Sequence, residues 1–406
     1  MKRMLKFYTP YFMLMTCIFT TIKVYSQTEL DERAIVNFKK GLGFYSTDSC
    51  LAINLKFRMQ NIIGFTTVSG EDLSVSDIEA RVKRLRLRFD GFIKNKNIAY
   101  YMQLGFSRYD QDWDNSHTVN VIRDAMVYYH FNKFFYIGYG QSKLPGNRQR
   151  VISSGSQQFV DRSVVNSNFT LDRDYGVFAY YSNNIGTVDI NLKGTVSTGE
   201  GRVSMTTDKG LCYTGRLEIL PLGKFTDNGD FFEGDLLREK TPKLSLAGGY
   251  SYNDNARKTL GQRGVDLHQQ RDLKNILFDI ILKYNGWALS SEYISRETSN
   301  PFTIDANNDT VTIYSGYGIN TQLSYVFRNN YELAFRHAFV KPDNKTRYIN
   351  PEDYFYTIAI TRYVKNHLLK VQSNITYNYK NYYQINSADV SKKDKWLLQF
   401  QVELGI

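Results

Sequence analysis

The chain has 406 residues, enough for two or three ordinary domains, yet no linker, repeat or low-complexity stretch divides it, so one large unit is the simplest account. Tyr (31) and Phe (26) are abundant while Pro is scarce (7), and beyond the N-terminal segment no stretch approaches the roughly 18 to 20 unbroken apolar residues of a membrane-spanning helix, so any membrane insertion is by strands. The formal charge of +11 falls to +7 once the four cations of the N-terminal segment, Lys2, Arg3, Lys6 and Lys23, are removed; on an exported protein such a surplus concerns anions, lipid headgroups or solutes rather than nucleic acid.

That segment reads as a cleaved signal peptide, 1–26. Lys2, Arg3 and Lys6 form a basic start, Phe7 to Ile22 is largely apolar, and Val24 and Ser26 suit cleavage before Gln27. Leu14-Met15-Thr16-Cys17 also has the outline of a lipoprotein signal, but Thr16 is bulkier than the small residue usual before such a cysteine. Residues 27–50 form a short lead-in, too short for a plug domain.

From residue 51 to the end, period-2 segments follow one another: 51–66, 82–94, 97–108, 119–131, 134–142, 174–183, 186–199, 210–222, 242–253, 273–285, 287–298, 311–327, 331–342, 353–364, 367–379 and 394–406. Most exceed the roughly 9 to 11 residues that a tilted strand needs to cross a bilayer. All the prolines after Pro10 fall at expected strand ends or loops. The connections alternate in length. Asn95-Lys96, Asn132-Lys133, Asn183 to Ile185, Asn285-Gly286, Asn329-Asn330 and Lys365-Asn366 are tight, with longer polar loops between them, the asymmetry of short periplasmic turns and long outer loops. The final segment, Trp396 to Ile406, alternates apolar Trp396, Leu398, Phe400, Val402, Leu404 and Ile406 with polar Gln399, Gln401 and Glu403. A two-faced terminal strand needs a neighbour, and the expected fold is all-β: a transmembrane antiparallel barrel of about sixteen strands, its last strand paired with its first, residues 51–406. A soluble sandwich with one wet face also alternates, but rarely over so many long strands.

Phe131, Phe134, Phe135, Tyr180, Tyr181, Tyr284, Trp287, Phe327, Tyr331 and Tyr363 gather beside the tight turns and read as an interfacial girdle, against the general preference of sheets for aromatic residues. Cys50 and Cys212 lie far apart without metal-like spacing and read as unpaired. His117, His130, His268, His337 and His367 show no catalytic spacing and read as loop or girdle residues; no cofactor or metal is implied.

The stretch richest in chemistry is Arg81 to Ile93, RVKRLRLRFDGFI. Leu85, Leu87, Phe89 and Ile93 share one face, so Arg84, Arg86, Arg88 and Asp90 share the other, about 6.5 to 7 Å apart in succession. Facing lipid, each midplane Arg would cost about 2–4 kcal/mol, so the ladder lines the lumen. The same parity adds Lys56, Arg58, Lys193, Arg216, Lys243, Lys283, Arg296, Arg336 and Lys370, against Asp189, Glu218, Asp279, Glu292, Glu332 and Glu403, a net cationic wall. The plainer alternative is that these charges hydrate the wall and pair off, with no selectivity resulting.

The longest connection, Lys143 to Arg173, is the third outer loop, 143–173, and carries Lys143, Arg148, Arg150, Arg162 and Arg173 against Asp161 and Asp172. It either lies on the surface or folds inward. If inward, Arg148, Arg150 and Arg162 are candidates for a constriction suited to phosphate or carboxylate oxygens. The connection 222–241 breaks the short-turn rule, and its sequence offers no reason.

The RVKRLRLRFDG strand, GYGQSKLPG (Gly138 to Gly146), VDRSVVNSNFTLDRDYGV (Val160 to Val177), GRLEILPLGKF (Gly215 to Phe225) and FFEGDLLREKTPKLSLAGGYSY (Phe231 to Tyr252) together resemble the phosphate-selective porin family of the porin O and P type. The resemblance spans essentially the chain after the signal peptide. It implies a sixteen-strand outer-membrane barrel of a Gram-negative bacterium, a homotrimer conducting small anions such as phosphate by passive diffusion, with Arg84, Arg86 and Arg88 as the family's arginine strand. The phosphate-binding lysines of the family have no one-to-one match here, and the chain ends in Ile406 where many such barrels end in Phe. The expected function is a water-filled, cation-lined channel and not an enzyme, with lipid and small anions as partners. The alternative is a barrel without channel function, either a hydrolase or a surface-binding barrel with a blocked lumen.

Overall fold

The computed structural model describes residues 35–37, 41–46, 50–94, 96–110, 120–204, 209–384 and 390–406; the export segment 1–26 and His117 lie outside them. Sixteen long strands dominate: β1 (Leu51–Thr67), β2 (Val75–Ile93), β3 (Ile98–Gly105), β4 (Ile122–His130), β5 (Phe135–Lys143), β6 (Arg173–Ile185), β7 (Val188–Ser197), β8 (Cys212–Leu220), β9 (Lys243–Lys258), β10 (Asp266–Tyr284), β11 (Trp287–Glu297), β12 (Gly316–Val326), β13 (Tyr331–Pro342), β14 (Glu352–Lys365), β15 (Leu369–Tyr383) and β16 (Val390–Gly405). Each pairs antiparallel with the next, and β16 returns to β1 with Leu404 opposite Met59 and Leu398 opposite Phe65, closing the sheet into a barrel. Below that seam β1 continues its ladder with a lead-in strand, Leu42 opposite Leu55. Among the described residues no helix is long and apolar enough to cross a membrane.

The period-2 pattern decides the closure. On β16, Leu398, Phe400 and Leu404 stand exposed on the outer face while Gln399, Gln401 and Glu403 are buried inside. In lipid, an outer face of Leu and Phe costs nothing to expose, and the backbone groups are all paired along the ladders. The tight turns follow from their residues: Tyr284 opposite Trp287 leaves Asn285 and Gly286 as a two-residue turn with φ +46° and +94°, the double left-handed conformation that Asn-Gly adopts at little cost.

Several boundaries differ from the sequence reading: the segment expected at 242–253 runs on to Lys258, that at 273–285 begins at Asp266, that at 367–379 runs on to Tyr383 and that at 394–406 begins at Val390. The segment predicted at 82–94 begins at Val75, because β1 pairs with it as far as Thr67. The segment predicted at 311–327 begins at Gly316, while Thr310–Thr312 pairs instead with Phe302–Ile304 in a small outer hairpin. The girdle needs correcting at two positions. Phe131, Tyr181, Tyr284, Trp287, Phe327 and Tyr331 stand exposed beside the turns. Tyr180 and Tyr363 point inward, the first because it alternates with Tyr181, the second donating its hydroxyl to Glu332 at 2.6 Å.

The connection between β5 and β6 lies inside the barrel. It folds as a short helix α1 (Arg148–Val151), a 3-10 turn (Ser154–Ser156) and helix α2 (Val164–Phe169), whose N-cap Ser163 accepts the N–H of Asn166 at 3.2 Å. Its Leu144, Val165, Phe169 and Leu171 are almost wholly buried against Met126, Phe178, Leu277, Ile294, Ala338 and Val340 of the wall. Each such large side chain contributes about 1.5–3 kcal/mol on burial, so the loop has its own apolar anchor.

Candidate functional site

Every residue of the expected cationic wall has lumen parity, and the ladder of β2 is longer than its alternation shows. Gln60 pairs with Arg84 but Asn61 pairs with Val82, so Lys83 is the extra residue of a β-bulge. Two successive residues, Lys83 and Arg84, therefore both turn inward. A strict period of two places Lys83 on the lipid face, which is why alternation misses it. The only hint in the sequence is its cost there: a lysine amid lipid.

The ladder does not present free guanidinium groups. Arg84 donates to the Gln60 side chain at 2.7 Å. Arg86 forks onto Asp110, Nε to Oδ2 at 2.7 Å, and donates to Ser154 Oγ of the loop at 2.9 Å. Arg123 is the extra residue of a second bulge, since Gln103 pairs with Asp124 but Leu104 with Ile122; it turns inward beside Asp124 and also pairs with Asp110 at 3.1 Å. Arg88 stands 2.8 Å from Asp90 and 4.6 Å over the Tyr101 ring. Lys56 meets Asp90 at 3.4 Å, and Arg58 meets Glu403 at 3.1 Å while donating to Ser153 Oγ at 2.8 Å. Asp110 lies in the connection between β3 and β4. Burial works against its charge, but Arg86 and then Arg123 hold the carboxyl below the usual carboxylate range.

The loop arginines are anchors. Arg148 reaches Asp279 at 3.0 Å, Glu218 at 3.3 Å and Asp230 at 3.6 Å; its burial is outweighed by Asp279 and Glu218, which strengthen its hold on the proton. Arg150 bridges to Asp172 within the loop, Nε to Oδ1 at 2.9 Å. Arg162 donates to the carbonyls of Gln149 and Ile152 at 2.9 and 3.0 Å. The structure therefore does not bring Arg148, Arg150 and Arg162 together with Arg84, Arg86 and Arg88 at one opening: all three hold the loop's own shape and seat. Further tethers are Lys83 to Asp161, Arg336 to the Asp161 carbonyl at 2.7 Å, Gln399 to Asp161 at 2.8 Å and Arg296 to the Asn168 carbonyl at 2.7 Å. Burial opposes the charge of Asp161, yet Lys83 keeps it below the usual range.

The connection Pro221 to Pro242 also enters the lumen, from the side of the tight turns. Phe225 packs on Leu220 and Ile281, and Lys283 donates to the carbonyls of Gly229 and Phe232 at 2.8 Å. The signal that marks both insertions is the apolar residue at lumen parity: Leu277, Ile281 and Ile294 face inward between charged or polar neighbours of the same face, and Val340 faces inward beside Ala338. A wet wall has no use for them unless a segment packs there.

What stays open is a cavity of about 1600 Å³ on the turn side of the loop. Lys56, Arg58, Arg86, Arg88, Lys143, Lys193, Arg216, Lys224 and Lys365 line it, against Glu218, Asp227 and Asp230, with Tyr136 and Tyr180 stacked at 4.6 Å between them. Positive side chains outnumber carboxylates at its surface, and several of the neutralising partners, Asp110, Asp279 and Glu403 among them, lie behind. Lys143 donates to the Val151 carbonyl at 3.0 Å and, among the described residues, has no carboxylate in ion-pair contact. The lumen thus combines a closed wall, an inward-folded loop and a wet, cation-rich chamber.

Residues 53–404 match the family described as phosphate-selective porin O and P. The chain belongs to that family. This porin has the same fold as OmpT of Vibrio cholerae in its trimer form (12% identity, 88% of this chain and 100% of that chain, TM-score 0.53), the outer membrane channel DcaP of Acinetobacter baumannii (11%, 90% and 99%, 0.54) and an anion-selective porin from Comamonas acidovorans (9%, 88% and 100%, 0.53). Among curated proteins none matches it. The family and the barrel assign it to the outer membrane as a porin channel.

Proposed function

We propose that this porin passes small anions such as phosphate by passive diffusion, without a catalytic step. The observation that carries the reading is the excess of Lys and Arg over Asp and Glu at the surface of the 1600 Å³ chamber. An anion there exchanges part of its hydration for successive donors of the Lys56, Arg58, Arg86, Arg88 and Lys143 wall. The carboxylates behind keep each step shallow, because a single deep well stops flux. Charge-assisted hydrogen bonds of about 1.5–3 kcal/mol, offset by lost hydration, suit that requirement.

The same reading makes residues 1–26 a cleaved export signal in a Gram-negative cell and the assembly a homotrimer, supported by the family and by the trimer form of the OmpT relative. In planar bilayers under a potassium chloride gradient, the reversal potential is expected to favour chloride, and phosphate is expected to reduce chloride current by competing for the wall. A potential favouring potassium ends the anion reading.

A further inference from the structure

We propose that the turn Pro221 to Pro242 is a second pore-defining element, which seats the third outer loop from below and keeps the ion route away from the β10–β12 wall, on the side of β1–β8. The inference rests on the channel reading and adds a positioning residue to it, Glu233.

The turn meets the loop in mid-lumen. The Glu233 N–H donates to the Ser156 carbonyl at 2.8 Å, and the Glu233 carboxylate accepts the Gln158 N–H at 2.9 Å and the Gln149 side chain at 3.3 Å. One backbone–backbone bond and one bond from a backbone N–H to the carboxylate make this a short clasp between segments that enter from opposite ends of the barrel. Glu233 is buried, so its carboxylate depends on those donors for the solvation it has lost. The clasp is held to the wall on the other side by Asp235, which accepts the N–H of Gly286 at 2.7 Å and of Glu239 at 3.1 Å.

The joint leaves little space. Between Arg148, Gln149, Glu233 and the β10–β12 wall the void is only about 30 Å³, room for about one or two waters and no hydrated ion. The turn also covers charge beside it: Asp230 lies 3.6 Å from Arg148, and the Phe231 ring lies 5.6 Å from the Arg148 guanidinium and 5.1 Å from Lys193 Nζ. The wall of β1, β2 and β5 keeps its cations facing the chamber. The turn therefore fills the lumen against β10–β12 and tempers the charge at its own edge of the chamber.

The test is single-channel recording in planar bilayers of the full-length protein and of two variants, Glu233→Ala and Asp235→Ala. The first removes the carboxylate's bonds to Gln158 and Gln149 and leaves only the backbone bond to Ser156, and the second removes the turn's bond to Gly286 of the wall. Each is expected to raise conductance and to break the steady open current into flicker, while Glu233→Gln, which keeps an acceptor for the Gln158 N–H, stays near the parent. Should Glu233→Ala fail to insert, Asp235→Ala decides alone. Parent-like conductance and noise in the variants that insert overturn the proposal. Reversal potentials separate it from the anion reading: cation preference sinks that reading whatever the conductance does.

Discussion

Arg148 of the third outer loop stands 3.0 Å from Asp279 of β10, and the same guanidinium lies 3.3 Å from Glu218 of β8. A residue chosen from sequence as a selectivity group is thereby a rivet between loop and wall. Removing one partner of a buried pair leaves uncompensated charge and costs about 3–5 kcal/mol. Arg148→Ala is expected to lower the heat stability of the folded barrel on gels and to expose the 144–172 segment to protease, with little change in ion preference. An unchanged melting profile with intact protease resistance contradicts the anchor role.

Lys143 faces the chamber, its amine bonded to backbone carbonyls rather than to a carboxylate among the described residues. Lys143→Glu places a carboxylate at that point of the chamber without breaking an observed ion pair. The chloride-to-potassium permeability ratio is expected to fall several-fold, by the potential that an added negative charge imposes in a narrow aqueous path. If the ratio is unaltered, ions do not pass beside Lys143.

Acid is expected to loosen the loop before it unfolds the barrel. Asp161 and Asp172 both lie in the loop; burial opposes their charge, but Lys83 for the first and Arg150 with Arg173 for the second hold both carboxyls below the ordinary range. A carboxyl depressed in the folded state contributes stability in full above its ordinary value of about 4, and that contribution is lost as pH falls through the folded value. Open-channel noise should therefore be the same at pH 7 and pH 5 and rise only below about pH 4. A transition between pH 5 and 7 points to other groups.

The Tyr363 hydroxyl donates to Glu332 at 2.6 Å inside the barrel. Tyr363→Phe leaves that carboxylate short of a donor, a loss of about 1–3 kcal/mol. The variant's barrel is expected to unfold at a lower denaturant concentration with unchanged conductance, since both residues sit away from the open chamber. Parent stability in urea titration refutes it.

Alternation alone determined the barrel. In Leu398-Gln399-Phe400-Gln401 every second side chain meets lipid, a solvent so uniform that one rule assigns each residue to a face, and the arginines of β2 must then face water. Tight turns carrying Asn set the strand order for the same local reason. What the lumen holds was decided only in three dimensions. The bulge that turns Lys83 inward arises from pairing with β1, and the clasp at Glu233 joins residues 75 positions or more apart in the chain. Arg148, Arg150 and Arg162 had the composition of a constriction, but their partners Asp279, Glu218 and Asp172, and the carbonyls that Arg162 binds, come from distant strands and from the loop's own fold. A charge pattern shows which groups must stay wet or paired; which of the two each one does depends on what the closed wall brings opposite it.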